Sequence, residues 1–418
     1  MYRGLPIITN KLSIQEQKGI PHHLLGSIEL HEDPWTVTHF KKEATRIISE
    51  IRARGKLPIV VGGTSYYLDG LLFEGRLVDE QSPVEGGASS RDDLAEKYPI
   101  LNGPPDAILA KLREVDPVMA DKWHPNDIRK IRTSLEIYYA TGRPASEIYA
   151  EQRSKKESKS ASPGSAERQS LGEILLFWLY ARREVLNERL DKRVDKMVQN
   201  GLLRETGEVH DYRYQRLTAG EAVDLSKGIW QSIGYRQFEP YHNTLKETPD
   251  SPDFEKLKQA GIEETKAGTR QYAKYQVRWV TSKTLPSLQD DKLLDRFYLL
   301  DSTDIQRWND EVLNKGVELA QKFLADEDLP RPVDISETAR EVLTETIEKS
   351  NQQPTPCRKA CDVCKKTLLT EELWHQHVTS KKHHKAVQAA KKRMLLPAHC
   401  FPSKAVVAVE ADASGATS

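Results

Sequence analysis

The chain has 418 residues, which exceeds one ordinary domain and predicts two or three compact units. Its 62 basic and 62 acidic side chains cancel, so the whole molecule has no large field that would attract a polyanion. Four cysteines in a chain this long exclude the small disulfide-rich secreted class and favour a reducing compartment, and no apolar run reaches the roughly 18 residues that a membrane helix needs.

The predicted elements begin with a helix and a strand. Residues 34–54 carry apolar side chains near helical spacing, and residues 57–64 form an apolar run that ends in glycines, as a buried parallel strand does. Residues 174–181 are the second predicted strand, and residues 183–200 form a charged amphipathic helix. Because strand, glycine loop and helix alternate, the pattern predicts an α/β fold.

Helices dominate the rest of the chain. Residues 106–115 and 128–140 predict helices in a region without a strand signal, which we interpret as a helical insertion. Helices are predicted again at residues 269–280 and 303–325.

Polar composition marks the predicted loops and linker. Residues 79–93 and 154–170 are rich in Ser, Gly and charge, which predicts surface loops without fixed structure. Residues 331–356 turn polar with scattered prolines and are predicted to form a tether.

The predicted organisation has six parts. In chain order they are a first part of an α/β core at residues 1–103, the helical insertion at 104–170, the second part of the core at 171–330, the linker at 331–356, a small closing unit at 357–395 and a disordered tail at 396–418.

The sharpest local motif is a set of metal ligands near the carboxyl end. Cys361 and Cys364 are two residues apart, His377 follows twelve residues later, and His383 follows after five more. Two thiolates from a knuckle and two imidazoles from a helix make a closed tetrahedral zinc site, which predicts Zn²⁺ with a structural role. His375 and His384 are competing ligands that the spacing ranks lower.

Basic side chains surround this motif. Residues 357–393 contain ten Lys or Arg against three Asp or Glu, so the local charge favours nucleic acid although the whole chain is neutral. The long histidine gap and the basic run around Lys381 resemble the matrin-type and small-nuclear-ribonucleoprotein-type zinc fingers, which implies an RNA partner. A lone finger adds mainly phosphate attraction, which salt weakens.

A glycine turn is the second motif. Gly62, Gly63 and Thr64 follow the first predicted strand, where backbone amides and a hydroxyl can approach a ligand at the carboxyl end of an open sheet. A glycine pair after a strand is also an ordinary turn, and Thr64 could serve only as a capping residue.

Six short blocks occur in one order along the chain. They are residues 2–11 (YRGLPIITNK), 19–25 (GIPHHLL), 62–64 (GGT), 123–127 (WHPND), 233–237 (IGYRQ) and 269–274 (TRQYAK). This order resembles the tRNA dimethylallyltransferases over about residues 2–325, and the added finger resembles the eukaryotic branch of that family.

The resemblance implies a P-loop-type parallel sheet with an inserted helical domain. It implies transfer of a dimethylallyl group from dimethylallyl diphosphate to N6 of adenine 37 in tRNA, with the anticodon stem-loop and the donor entering a channel from opposite ends. Mg²⁺ would assist the departure of the diphosphate. A monomer in the cytoplasm, with mitochondrial and nuclear pools, is the family expectation.

The resemblance also assigns catalytic residues. Thr64 matches the family threonine that orients the target base or a phosphate oxygen, and Arg193 matches the arginine that faces the diphosphate. On charge pattern alone, Arg193 would instead be an exposed helical arginine paired with a neighbouring aspartate.

Further residues match substrate-binding blocks of the family. They are Tyr2, Arg3, Gly62, Gly63, Gln231, Gly234 and Tyr235 on the catalytic side, with Arg129, Lys130 and Arg132 on the segment that contacts tRNA. Core packing alone also explains Tyr235, and a solvated helix face explains the cations. Thr133 stands where relatives carry arginine, which predicts that a phosphate contact is missing or shifted there.

Several aromatic and amide side chains near these blocks predict core packing. They are Trp230, Tyr272, Gln276 and Trp279.

Relatives begin with a strand, a G-x-x-x-x-G-K-[ST] loop and an acidic residue before the block at residues 2–11. The sequence contains none of these features, so we expect that it starts late. We expect the full-length form to be the enzyme and the sequence as given to be inactive or nearly so. The alternative is a non-catalytic tRNA- or RNA-binding zinc-finger protein derived from this family.

Overall fold

The computed structural model describes residues 1–73, 91–159, 173–225, 227–248, 250–351, 355–364 and 366–394. In chain order the first elements are α1 (Val37–Ala53), α2 (Ser65–Leu72), α3 (Arg91–Lys97), α4 (Pro105–Val115), α5 (Pro117–Lys122), α6 (Ile128–Thr141), α7 (Ala145–Lys159), β1 (Leu176–Tyr180), α8 (Arg183–Gln199) and α9 (Leu202–Thr218). They continue as α10 (Tyr235–Glu247), α11 (Phe254–Trp279), α12 (Leu285–Asp290), β2 (Phe297–Asp301), α13 (Lys315–Leu324), α14 (Glu337–Asn351), β3 (Pro356–Cys361), β4 (Lys366–Thr370), α15 (Glu371–Val378) and α16 (Lys381–Met394). Two π-helical turns, Val280–Thr284 and Asn309–Asn314, directly precede α12 and α13.

Two compact units divide the described residues. The first unit lies within Met1–Glu85 and Gln152–Gln352, and the second lies within Gly86–Glu151 and Gln353–Ser418. The segment predicted as the insertion and the segment predicted as the finger therefore fall largely within one unit. No helix in the described part of the chain is long and apolar enough to cross a membrane.

A small parallel sheet lies in the first unit. β1 pairs with β2 from Leu176 opposite Phe297 to Tyr180 opposite Asp301. β2 is almost wholly buried, whereas β1 alternates and leaves Phe177 exposed on one face. The predicted strand at residues 174–181 and the predicted α/β class are confirmed, in a helix-rich form with small sheets.

Several apolar cores lie in the first unit, and two of them join most of its helices. One core joins β2, α12 and α14 and consists of Phe73, Leu285, Leu288, Phe297, Leu299, Ala339 and Leu343. The other core joins α8 to α11 with the amino-terminal segment and consists of Leu5, Ile8, Val194, Met197, Leu202, Val209, Ile229, Trp230, Tyr235, Phe238 and Ile262. The prediction that Trp230 packs in the core is confirmed.

The predicted strand at residues 57–64 is wrong. These residues form no strand, and Ile59 and Val61 are 76% and 90% exposed. A parallel strand needs a neighbour that accepts and donates its backbone hydrogen bonds, and in the described residues the only strands of this unit, β1 and β2, pair with each other.

The predicted tether at residues 331–356 is also wrong, because α14 occupies most of it. Ala339 and Leu343 are buried in the core, which the scattered polar residues and prolines conceal.

The two predicted surface loops, at residues 79–93 and 154–170, are partly wrong, because one end of each lies in a helix. Residues 91–93 belong to α3 and residues 154–159 belong to α7. Residues 79–90 and 160–170, like the predicted tail at 396–418, lie outside the described residues.

Candidate active site and metal centre

The Gly62–Gly63–Thr64 turn leads directly into α2. The carbonyl oxygen of Thr64 accepts hydrogen bonds from the backbone amides of Tyr67 at 2.8 Å and Leu68 at 3.2 Å, which starts the helix. Its hydroxyl makes no capping bond, and the residue is exposed. The hydroxyl is therefore available to a ligand, and the plain capping role is not the one the structure adopts.

Gln276 of α11 holds this turn. Its Nε2 donates a hydrogen bond to the carbonyl oxygen of Gly63 at 2.6 Å. A Cβ atom at position 63 would lie 2.2 Å from the same Nε2, so a larger residue there would displace the Gln276 amide from this hydrogen bond. The backbone of the turn is thus fixed by a side chain that comes from 213 residues away.

A buried carboxylate fastens α2 to the same helix. Asp69 is 6% exposed, and its two oxygens accept hydrogen bonds from Trp279 Nε1 at 2.7 Å and Thr284 Oγ1 at 2.9 Å. These charge-assisted bonds compensate the cost of burying the carboxylate. Both ends of α2 are therefore tied to α11 and the π-helical turn after it.

Arg193 lies on α8, whose neighbouring carboxylates have other partners. Asp191 pairs with Arg270, and Asp195 pairs with Lys266 at 2.8 Å. In the described part of the chain Arg193 has no carboxylate partner, so the interpretation as a helical ion pair does not hold. Desolvation lowers the pKa of the Arg193 guanidinium from its ordinary value. An unpaired and partly desolvated cation is well suited to an anionic ligand.

Helix α11 connects the two elements that carry Thr64 and Arg193. It contacts the glycine turn through Gln276 and the helix of Arg193 through Arg270. These two contact residues are six apart, which corresponds to about 9 Å along a helix axis at 1.5 Å per residue. The turn and the arginine helix are thus attached to a single rigid element.

The amino-terminal block packs beside this scaffold. Tyr2 forms a parallel bridge with Ile28, and Arg3 forms an ion pair with Glu29. The buried carboxylate of Glu205 accepts hydrogen bonds from the backbone amides of residues 7 and 8, at 2.9 and 2.6 Å. The block is therefore anchored in the first unit.

The block around Gly234 supports packing more than ligand contact. Gly234 has φ +107° and faces Ile8, so it allows a close approach that a side chain would obstruct. Tyr235 is 1% exposed in the core, as the packing interpretation predicts, while Gln231 is exposed. A cavity of about 150 Å³ lies next to this block in the sequence and is lined partly by Tyr2 and Trp230.

The cations of α6 in the second unit have different surroundings. Lys130 pairs with Asp127, and Arg132 pairs with Glu136 at 2.9 Å. Arg129 is exposed and has no ion pair within the described ranges. Of the three cations it is the one most readily available to a phosphate.

The four predicted metal ligands come together in the second unit. The ligand atoms of Cys361, Cys364, His377 and His383 all lie within 4.8 Å of one another. Nδ1 of His383 is 3.6 Å from Sγ of Cys361 and 3.5 Å from Sγ of Cys364. Zinc bonds of about 2.3 Å to sulfur and about 2.0 Å to nitrogen give a tetrahedron edge of about 3.5 Å.

The local fold explains the long gap between the two histidines. His377 lies near the end of α15, Ser380 caps the start of α16 through a 3.1 Å hydrogen bond from the amide of His383, and two short helices replace one long helix. Nε2 of His377 is buried without a hydrogen-bond partner in the described residues. An orphaned imidazole nitrogen facing two thiols fits a zinc ion.

The finger contacts α5 and the start of α6. Arg358 of β3 forms an ion pair with Asp121 at 2.7 Å. Nε2 of His124, in the Trp-His-Pro-Asn-Asp block, lies 2.8 Å from the carbonyl oxygen of Thr367 of β4. Nδ1 of that ring accepts from the amide of Asn126 at 3.1 Å, so Nε2 carries the proton.

Sequence reasoning missed the residues that position the turn. Asp69 carried no signal in a short apolar helix. Gln276 and Trp279 were predicted to be core residues, but Gln276 bonds to the turn and Trp279 is half-buried beside it; Tyr272 is 40% exposed and is likewise no core residue. The proximity of residues 276 and 279 to the block at residues 269–274 was the available clue.

Comparisons with known proteins agree with this geometry. The profile of the IPP transferase family matches residues 1–283. The tRNA dimethylallyltransferase of Schizosaccharomyces pombe is 36% identical over 406 residues, covering 94% of this chain and 88% of that protein. The tRNA dimethylallyltransferase of Homo sapiens is 34% identical over 384 residues, covering 92% and 77%. A crystal structure of a eukaryotic dimethylallyltransferase acting on tRNA matches with a TM-score of 0.72 and 31% identity, covering 94% of this chain and 89% of that one.

Fold, site and relatives together define a prenyl-transferring enzyme. The chain therefore belongs to the IPP transferase family, and the prediction made from the six ordered blocks is confirmed.

Proposed function

We propose that this protein transfers a dimethylallyl group from dimethylallyl diphosphate to N6 of adenine 37 in the anticodon stem-loop of tRNA. The observation that carries the proposal is the common attachment of the Thr64 turn and the Arg193 helix to α11. The relatives named for this activity cover nearly the whole chain, which supports the same assignment.

The reaction forms one bond and breaks another. The N6 lone pair attacks the allylic C1, the C1–O bond breaks, and its electron pair leaves with the diphosphate; the amine proton passes to a base other than Thr64 and Arg193. Charge gathers on the departing oxygens, and electrostatic stabilisation by a positioned cation is the main protein contribution to such a step. Arg193 supplies that cation because no carboxylate competes for it.

Thr64 performs the positioning role in this proposal. Its exposed hydroxyl donates a hydrogen bond to a phosphate oxygen or to the adenine ring, and the Gln276 bond keeps the turn from drifting. Correct orientation of donor and nucleophile lowers the barrier because the entropy cost is met on binding.

Magnesium stays a prediction. The carboxylate of α2, Asp69, is buried and accepts hydrogen bonds from Trp279 and Thr284, so the turn does not offer it to an ion. No step above depends on the metal.

Zinc has a structural role in this proposal. Cys361, Cys364, His377 and His383 would hold one zinc ion with no open coordination position. The free energy of zinc binding would stabilise the folded finger, which contacts α5. The basic face of α16, with Arg129 of α6, would then attract the RNA backbone.

The direct test is a transfer assay. The full-length protein, with any residues that precede the given sequence, is incubated with dimethylallyl diphosphate and an anticodon stem-loop with adenosine at position 37, with the Schizosaccharomyces pombe relative as positive control. Mass spectrometry of the digested RNA should show one added dimethylallyl group at that adenosine. Tight RNA binding without any transfer would favour the non-catalytic alternative and reject the proposal.

A further inference from the structure

Two tyrosine rings lie against the ring of Trp279 beside the Thr64 turn. Tyr66 follows Thr64 by two residues, and its ring centroid is 6.1 Å from that of Trp279 at an interplanar angle of 77°. Tyr275 lies one helical turn before Trp279, with its ring centroid 5.8 Å away. We call Tyr66, Tyr275 and Trp279 the aromatic cluster.

The cluster is exposed and rigid at the same time. Tyr66 is 46% exposed and Tyr275 is 51% exposed. The indole of Trp279 cannot rotate freely, because its Nε1 donates to the buried carboxylate of Asp69 at 2.7 Å. The two tyrosines therefore rest on a fixed ring, and each leaves about half of its surface exposed, which lowers the entropic cost of contact with a ligand.

Cations flank these rings on the same helix. Lys274 and Arg278 are four residues apart and therefore lie on one side of α11, and Arg278 is three residues after Tyr275. Both are exposed and have no ion pair among the residues that the structure describes. Exposed rings interleaved with unpaired cations are typical of surfaces that stack unpaired bases and hold the phosphates on either side.

We propose that Tyr66 and Tyr275, fixed by Trp279, stack the adenine that is extruded from the RNA loop, while Lys274 and Arg278 contact the phosphates that flank it. This rests on the proposed function. The proposed function assigns the diphosphate of the donor to Arg193, which leaves Lys274 and Arg278 for the phosphates of the RNA. Unstacking a base from its loop costs free energy, and a waiting aromatic face restores the lost stacking.

The test measures the environment of the base itself. An anticodon stem-loop with 2-aminopurine in place of the target adenine is bound to the full chain, because 2-aminopurine emission is quenched when the base stacks. Tyr66→Leu and Tyr275→Leu should each weaken binding roughly 5- to 100-fold, as alanine substitution at stacking rings does, and should raise the emission of the bound complex several-fold. Tyr66→Phe and Tyr275→Phe should recover most of the affinity and the quenching.

The matched control is Tyr272→Leu on the same helix. Tyr272 is 40% exposed but makes no ring contact with the aromatic cluster, so its removal should change neither quantity. Equal affinity and emission for the leucine variants and the unchanged chain would overturn this inference alone. A change confined to the affinity for dimethylallyl diphosphate would also overturn it, since the rings would then line the donor. Failure of the unchanged chain to bind the stem-loop would overturn both this inference and the proposed function.

Discussion

At the scale of single residues, the distribution of partners around Arg193 matters most. The two aspartates nearest in sequence are held by Arg270 and Lys266, and this leaves the guanidinium without a carboxylate. Sequence alone could not reveal this, because ion pairing on a helix surface depends on what the neighbouring helix presents.

Replacing Arg193 tests this arrangement. We expect Arg193→Ala to lower kcat about 10²-fold, because the cation that meets the leaving diphosphate is lost. Arg193→Lys should restore part of the rate with a point charge. The free energy of unfolding should change little, since no ion pair breaks. Lys192→Ala is the control, and an equal fall in kcat for that variant would contradict the assignment.

Replacing Gly63 tests the contact between the turn and α11. Gly63→Ala places a methyl group at 2.2 Å from Gln276 Nε2, the end of a flexible side chain, so we expect the amide to move aside and the free energy of unfolding to fall by about 0.5–1.5 kcal/mol, the contribution of the lost hydrogen bond. Gly62→Ala is the matched control, because its methyl group would meet only Leu68 at 3.9 Å. Urea titration measures both. The double variant Gly63→Ala/Gln276→Ala should be about as stable as Gly63→Ala, because the hydrogen bond is already lost, and a large further loss would contradict this account.

At the scale of elements, the helices predicted from local sequence patterns are present, whereas the strand that needed a distant partner strand is not. The helices predicted at residues 34–54 and 183–200 are present as α1 and α8, since amphipathic spacing is a local property. The strand at residues 57–64 did not form, because strand pairing depends on a distant segment. α14 was missed because its few buried side chains, among them Leu343, are scattered among polar residues.

The packing of α9 against α10 predicts a dependence of stability on pH. His242 is buried at this contact and hydrogen-bonds with Thr206 at 2.9 Å. Burial, with His210 nearby, lowers the pKa of His242 to about 4. Between that value and the ordinary 6.5 the unfolded chain binds more protons, so the free energy of unfolding falls as the pH is lowered through this window.

We expect a loss of about 2 kcal/mol between pH 7 and pH 4, after allowing for solvent screening. Denaturant unfolding at a series of pH values measures it. His242→Gln removes the titrating group and should flatten that part of the profile. A profile identical to that of the unchanged chain would show that another group is responsible.

The finger should depend on its metal. We expect about one zinc per chain, and we expect Cys361→Ser to lose the zinc together with the amide protection of α15 and α16, because the ion supplies folding free energy. Elemental analysis and hydrogen exchange measure the two effects. Cys357→Ser is the matched control, since its Sγ lies outside the cluster. Retention of zinc by Cys361→Ser would contradict the ligand set.

At the scale of the whole molecule, zero net charge conceals a basic carboxyl end. The family and the metal-ligand spacing could be read from the sequence, because ordered blocks and ligand intervals are linear features. The sequence could not show that the insertion and the finger belong to one compact unit, because this depends on contacts such as that between Arg358 and Asp121, which are 237 residues apart.

RNA affinity should respond to this basic end through salt. Replacing Lys381, Lys382 and Lys385 by alanine should reduce the slope of log affinity against log salt by about one for each phosphate that these lysines neutralise. The rate of dimethylallyl transfer at saturating RNA should be unaffected, since the triple variant changes the affinity for RNA phosphates and not the residues at the reacting atoms. Glu371→Gln/Glu372→Gln on α15 is the charge control. An unchanged slope in the lysine variant would exclude phosphate binding by α16.

The π-helical turn Val280–Thr284 fixes the spacing between Trp279 and Thr284. In a regular α-helix, residues five apart point in directions about 140° apart, whereas the wider i to i+5 turn brings them to one side, where both reach Asp69. The number of residues in this turn therefore matters more to the contact with Asp69 than their identity. Losing a single codon between positions 280 and 283 would rewind this stretch, rotate everything downstream by about 100°, and uncouple α2 from its support, although every surviving amino acid was unaltered.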